Sequence, residues 1–487
     1  MKTMNAKLCI IMALGGVLGG CMVGPDYHRP AAPVPAQYAE LPGWTAATPA
    51  DAAPKGDWWT DFHDPLLDEF EPMVAVSNQT VRQNFASYQL ALAEVKVAHA
   101  QLFPLIGVAG SASRSASGTG SGSTVTATNA ASFEGTASWS IDVWGKVRRL
   151  VEHNAATAQA DEATLANSTL SEQTLLATTV IELRLADADI DLQQKAVDAF
   201  RDALAITEHQ GAAGITATPP SAVIAARVAL ETAQAGLIGL GVARAQFAHA
   251  IAVLVGKNPE ELDIPHGTVM PTLPTVPAGV PSTLLQRRPD IAAAERSMAA
   301  QNAAVGIAVA AYYPSLSLSA SAGFAQSPLA GLLHAANHVW SIGASGTETL
   351  LDFGERHAQV EAAKAAYEAA VASYRGTVLT AFQDVENDLS GLRILAEQAQ
   401  ALDIAVRDAE RGSQIALAEF QAGTVDYTTV AVAQEALWAD QQSALGVQQS
   451  RLIDAVSLIG ALGGGWSDSQ LHDPLHPNER TPANAAP

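Results

Sequence analysis

The side chains able to do chemistry in this 487-residue chain are spaced in ways that suggest very little of it. His334 and His338 stand at i and i+4, the spacing that puts two imidazoles on one face of a helix as a metal pair. They sit in an Ala/Leu-rich stretch with no third ligand nearby, so no metal is expected. Asp290 and Glu295 lie beside Arg287-Arg288, a pattern that reads as helix capping and local ion pairing rather than an acid–base dyad. Residues 118–122 form a Gly/Ser loop without the Lys-Ser/Thr that a phosphate cradle requires. Only two cysteines occur, Cys9 and Cys21, so the body of the chain has no disulfide framework and no zinc site. Neither an enzyme nor a cofactor is expected. Acidic residues outnumber Lys and Arg by 49 to 27, for a formal net charge of −22, which argues against nucleic acid as a partner.

Cys21 is the residue with chemistry of its own. Lys2 and Lys7 form a basic start, and residues 8–17 an apolar run too short to span a bilayer as a mature helix. Leu18-Gly19-Gly20-Cys21 then resembles the bacterial lipobox, in which cleavage precedes the cysteine and its thiol is acylated. Residues 1–20 are accordingly expected to be a lipoprotein signal peptide. Met22 after the cysteine, rather than Asp, points to outer-membrane lipids as the destination. Acyl chains on Cys21 anchor in proportion to their buried methylenes.

The elements around these residues have a clear pattern. Residues 132–144, SFEGTASWSIDVW, alternate with a period of two. Phe133, Gly135, Ala137, Trp139, Ile141 and Val143 share one face; Ser132, Glu134, Thr136, Ser138, Ser140 and Asp142 share the other. Serine and glycine pack poorly against a second sheet, whereas a strand between lipid and water has this composition. Residues 314–324 repeat it, with Leu316, Leu318, Ala320, Ala322 and Phe324 against serines. Trp340, Ile342, Ala344 and Gly346 continue it until Glu348. Residues 103–115 are weaker: Ile106, Val108 and Ala112 share a face that Arg114 ends. Phe133, Trp139, Leu316, Leu318 and Trp340 are expected to meet lipid. Trp144, Tyr312, Tyr313, Phe103 and Phe353 fall where strand becomes helix and suit an aromatic interface belt.

The rest reads as helix. Residues 22–57 hold seven prolines and form an extended strap (21–57 with Cys21). Trp58-Trp59 with Phe62 and Asp64-Pro65 cap a first helical run over about 66–102, which Pro104 stops. From Lys146 no proline occurs until Pro219, and Leu165, Thr169, Leu176, Val180, Leu183 and Leu185 recur at threes and fours. A helix of about 65 residues measures on the order of 100 Å, longer than an ordinary globular domain accommodates. A return helix follows over about 221–256, then a Pro-rich connector, 257–282. A second long helix over 355–421 carries Tyr367, Val371, Tyr374, Val378, Phe382, Val385, Leu389 and Leu392 as a packing seam with a period near 3.5. Residues 466–487 read as a disordered tail.

Residues 58–256 and 283–465 are two copies of one plan: helix, hairpin, long helix, return helix. Phe103-Pro104 corresponds to Tyr313-Pro314, and Trp144-Gly145 to Phe353-Gly354. The fold class is mainly α with membrane β-hairpins. Four strands per chain cannot close a barrel, which takes at least about eight, and lipid does not tolerate open sheet edges. The chain must therefore oligomerise, as two or three copies.

The whole chain resembles the TolC/OprM class of outer-membrane factors, in its NodT-like lipoprotein branch. The residues that carry this are Cys21-Met22-Val23-Gly24-Pro25-Asp26-Tyr27 with Pro30, then Trp58-Trp59, Phe62 and Asp64-Pro65-Leu66. The most specific block is Leu284-Leu285-Gln286-Arg287-Arg288-Pro289-Asp290-Ile291 with Ala294-Glu295, leading to Gly306 and Tyr313-Pro314. The resemblance implies a homotrimer with a twelve-stranded β-barrel in the outer membrane, continued by a long periplasmic α-helical barrel. It implies a periplasmic adaptor protein and an inner-membrane pump of the RND type as partners in efflux. Arg287, Arg288, Pro289 and Asp290 would be structural.

In the family, the second helix turn packs closed, often with an acid or leucine facing the axis. Aligned on Gly423-Thr424, those places fall on Thr428, Thr429 and Val432, and none is acidic. Asp426, Thr429 and Val432 are the expected constriction. A pore-less structural tether and an exit channel for secreted polypeptides are the competing readings.

Overall fold

The computed structural model describes residues 22–31, 34–35, 38–40, 57–117, 126–213, 220–267, 269–276, 286–326 and 332–475. Cys21, the leader 1–20, the loop at 118–122 and the distal end of the tail lie outside them. So do Leu284, Leu285 and the first helix turn at 214–219.

A short 3-10 turn, Trp58–Phe62, precedes α1 (Pro65–Ser77). Asp64 caps α1 by accepting from the Leu66 amide at 2.8 Å, and Pro65 fills the first helical position, where its missing N–H costs nothing. The single helical run expected over 66–102 is in fact two helices. Asn78 is extended (φ −62°, ψ 133°), and its side chain caps α2 (Gln79–Ala100) on the Thr80 and Val81 amides. That local hydrogen bonding competes with helix continuation, and Asn78 is pinned further by donating to the Leu254 carbonyl.

The hairpin β1 (Leu105–Ser117) and β2 (Thr126–Ile141) follows, then α3 (Lys146–Ala212) and α4 (Pro220–Leu254). The second copy runs α5 (Pro289–Ala310), β3 (Ser315–Gln326), β4 (His338–Thr347), α6 (Glu355–Gln421) and α7 (Tyr427–Ala461). The long helices have 67 residues each and the return helices 35 each, so the internal duplication is kept to the residue. Gly145 and Gly354 precede the two long helices at φ 80° and 94°, a left-handed bend that lets a strand turn directly into a helix. Asp142 then accepts from the Val147 and Arg148 amides, and Asp352 from those of Gly354 and Arg356, satisfying the open helix starts.

The main core lies midway along the long helices. Trp58, Trp59, Phe62, Leu67 and Phe70 pack with Leu176, Val180, Ile181 and Leu183 of α3, with Tyr374 to Leu392 of α6, and with Leu452 to Leu458 of α7. Of the expected α6 seam, Tyr374, Val378, Phe382, Val385, Leu389 and Leu392 are buried, and Tyr367 and Val371 are partly buried against them.

Around this level the strap, connector and tail wrap the helices. Tyr27 donates to Glu295, the Arg29 guanidinium lies on Tyr374, and the Ala39 and Glu40 amides donate to the two oxygens of Glu386 at 2.7 and 3.0 Å. Arg149, almost fully buried, gathers the Val23 and Gly24 carbonyls with the carboxylates of Asp26 and Glu152. Gly24 lies so close to Gly306 that a Cβ on it would sit 2.5 Å from the Gly306 Cα. The connector is clasped where Asp187 accepts from Arg244, His266 and the Gly267 amide.

Residues 466–475, expected to be part of a disordered tail, are docked. Leu471 and Trp466 pack on Ala163 and Ala292, and His472 pairs with Glu162. Two apolar side chains and the hydrogen bonds of His472 to Glu162 suffice to hold this short polar stretch.

Candidate functional site

The four strands form one antiparallel sheet in the order β1-β2-β3-β4, and each strand is long enough to cross a bilayer at a tilt. The register keeps the two faces distinct across the sheet. Phe133 stands opposite Gly110 and Phe324, Trp139 opposite Leu318, Ala320 opposite Ile342, and Ala322 opposite Trp340. On the other face Ser138 meets Ser319 and Ser140 meets Ser317. Cross-strand hydroxyl pairs line this face: Ser111 with Ser132 at 2.8 Å, Ser317 with Ser345 at 2.8 Å, and Ser321 with Ser341 at 3.0 Å. Phe133, Trp340 and Ile342 are exposed. Among the described residues, β1 and β4 each pair on one side only.

At the foot of the sheet the aromatic residues anchor strands to helices. Trp144 stacks on Tyr313, and its indole N–H donates to the Pro314 carbonyl. Trp139 donates likewise to the Leu102 carbonyl at 2.9 Å, so it is half-buried rather than free on the surface. A cleft of about 1120 Å³ opens there, lined by Leu105, Ser138, Ser140, Asp142, Ser317 and Ser319 among others. Its walls hold the apolar side chains of Trp139, Trp144, Leu316 and Leu318 beside these polar groups.

Arg287-Arg288-Pro289-Asp290 opens α5. Arg288 makes a two-pronged pair with Asp290 at 2.7 and 3.0 Å and reaches Asp384 of α6 and the Ala461 carbonyl at the end of α7. One guanidinium thereby ties three helices, which explains a planar five-donor side chain here. Asp388, one turn on from Asp384, is pushed up to about 7, first by burial and then by the nearby Asp454 and Asp384 carboxylates. Glu295 is engaged by its neighbour Arg296 and by Tyr27 of the strap, a partner far away in the chain.

At the far end of the helices, Gly423 bends the chain from α6 to α7 at φ 77°. Asp426 caps α7, accepting from the Thr429 amide and hydroxyl, both at 3.1 Å. Asp426 and Thr429 are therefore in contact, and Val432 is exposed. Phe420, Tyr427 and Val430 pack with Ala203 and Ala226, which holds the tips of the two helix pairs together. His334 precedes a short 3-10 turn, and His338 opens β4 edge-on to Phe324.

Several structural residues escaped the sequence reading. Arg149 looks like an ordinary surface residue at a helix start. Arg184 is buried in α3 and pairs with Asp64 at 2.9 Å, and Glu71 is fully buried with neither oxygen bonded. The usable signal was the Trp58-Trp59/Asp64-Pro65 block, where an acid at a helix start beside aromatic residues calls for a buried cation.

Residues 73–257 and 280–464 match the family profile "Outer membrane efflux protein". The chain is 30% identical over 469 residues to the toluene efflux pump outer membrane protein TtgC of Pseudomonas putida, covering 95% of this chain and 96% of that one. It is 27% identical to the cation efflux system protein CusC of Escherichia coli, covering 94% and 98%. The solved outer-membrane channel OprN superposes with a TM-score of 0.85 at 27% identity, over 92% of this chain and all of that one. A two-faced sheet on paired long helices, duplicated within the chain, belongs with these proteins: this chain is a member of the outer membrane efflux protein family, and it is an outer-membrane exit duct.

Proposed function

We propose that three copies of the chain close a twelve-stranded barrel whose serine faces enclose water, continued through the periplasm by a barrel of the long helices. The observation that carries this is the sheet itself: one apolar face, one hydroxyl-lined face, and two edges left unpaired among the described residues. Lipid penalises each bare backbone group by several kcal/mol, roughly, so such a sheet must be completed by copies of itself. The duct does no bond chemistry. It passes small solutes delivered by an inner-membrane pump of the RND type through a periplasmic adaptor docked on the helical tips. Relatives named for toluene and for cations indicate how wide the choice of solute is. Acylation of Cys21 holds the strap at the membrane, with Phe133, Trp139 and Trp340 toward lipid and Trp144 and Tyr313 at the interface. Asp426, Thr429 and Val432 form the distal constriction, and untwisting of the helix pairs opens it.

Planar-bilayer recording tests the reading. Purified protein should insert as trimers with discrete conductance steps, which rise when Thr429 and Val432 are cut back to Ala. A monomer that passes no ions would leave a tether without a pore.

A further inference from the structure

The junction between the two repeats inside one chain is a template for the junction between two chains. Trp144 of the first repeat stacks on Tyr313 of the second, where β2 meets β3. The equivalent of Trp144 is Phe353, six residues past β4, and the equivalent of Tyr313 is Phe103, two residues before β1. Among the described residues neither stacks on an equivalent aromatic partner: Phe353 is 93% exposed, and Phe103, 61% exposed, meets only the tilted His99 ring, 5.5 Å between centroids. Phe353 differs from Trp144 in holding a left-handed backbone, at φ 51°, a conformation uncommon for a bulky residue.

On the reading that copies of this chain close a ring, we propose that Phe353 stacks on Phe103 of the partner subunit and that the β2/β3 register is repeated at this seam. Carrying Gly135 opposite Ala322 over to the seam sets Ala344 opposite Ala112 of the partner subunit. Likewise Ala137 opposite Ala320 becomes Gly346 opposite Gly110 of the partner subunit. Ile141 opposite Leu316 becomes Leu350 opposite Ile106 of the partner subunit; these two are 91% and 78% exposed in the single chain.

The placement keeps the even-numbered face of β4 on the even-numbered face of β1: Trp340 falls opposite Ala116 of the partner subunit, Ile342 opposite Arg114 of the partner subunit, Ala344 opposite Ala112 of the partner subunit and Glu348 opposite Val108 of the partner subunit. A slip of one residue would turn every serine toward the wrong face. The Phe353 ring has no N–H, so the seam keeps the stack of the internal junction and lacks its side-chain hydrogen bond to the proline carbonyl.

Disulfide cross-linking of the full-length chain in membranes tests this. Ala344→Cys with Ala112→Cys should give covalent two- and three-chain species on oxidation, absent from the parent chain. Ala344→Cys with Ala116→Cys shares the same face but lies about 13 Å out of register, and should cross-link at least tenfold less. Strong cross-linking at 116 and none at 112 overturns the register. Phe353→Ala should reduce the yield of detergent-resistant oligomer several-fold, with Phe353→Trp restoring it; equal yields overturn the stack. A conducting, oligomeric parent with the wrong pattern overturns this seam alone, whereas a monomeric, non-conducting parent overturns the ring as well.

Discussion

Trp144 and Tyr313 stack with ring centroids 4.8 Å apart and planes 25° from parallel, while the Trp144 indole donates to the Pro314 carbonyl at 2.9 Å. Two aromatic residues far apart in the chain thus join the end of one hairpin to the start of the other at the foot of the sheet. Trp144→Phe keeps the stack and loses the hydrogen bond, for an expected cost of about 1 kcal/mol. Trp144→Ala loses both and should cost about 2–3 kcal/mol. Thermal unfolding of the detergent-solubilised protein should rank the variants in that order.

Arg184 reaches the buried Asp64 at 2.9 Å. Asp64→Asn can still cap α1, since Asn is as good a cap as Asp, but it leaves a buried guanidinium without its counter-charge. A loss of about 3 kcal/mol is expected. Arg184→Met with Asp64→Asn should recover much of it in a double-mutant cycle; additive losses would contradict the pairing.

Glu71 is fully buried in α1 and unpaired, and burial pushes it up to about 9 from 4.5. A carboxyl raised in the folded state costs nothing below the unfolded value, where both states are protonated. The cost grows from about pH 4.5 as the unfolded chain releases its proton, and levels off near pH 9. Glu71→Met removes it. The variant should be similar to the parent at pH 4 and more stable by on the order of 3 kcal/mol at pH 7. Stability-against-pH curves that run parallel would exclude this.

Asp426 both caps α7 and carries charge at the distal turn. Asp426→Asn preserves the cap, so the helix start should be unchanged while any cation preference of the bilayer current declines. Asp426→Ala loses the cap as well, at a cost of about 1 kcal/mol. If both variants keep the parent's reversal potential in a salt gradient, the carboxylate does not face the path.

Periodicity made the strands and long helices legible, because side chains there have only two choices of face. The seam from Tyr374 to Leu392 is buried as its spacing requires, and the serine faces of β2 and β3 are aligned. What stayed hidden depends on single side chains acting across long distances. Nothing in the periodicity around Asn78 reveals that its amide will end one helix and begin another. Arg149 and Glu295 look like surface residues until the strap lies over them. The docking of Leu471 required knowing that Ala163 and Ala292 would leave a hollow of its size. At the distal turn, the residue types were readable, but which of them face the axis depends on neighbouring copies.

The strap holds α6 at points spread over 374–393: Arg29 on Tyr374, the Ala39 and Glu40 amides on Glu386, and Glu40 on Arg393. A pull at the N-terminus, directed along the helix, therefore loads these attachments side by side instead of peeling them singly. Such an arrangement shares the load among several contacts and delivers it to one of the two longest helices of the molecule.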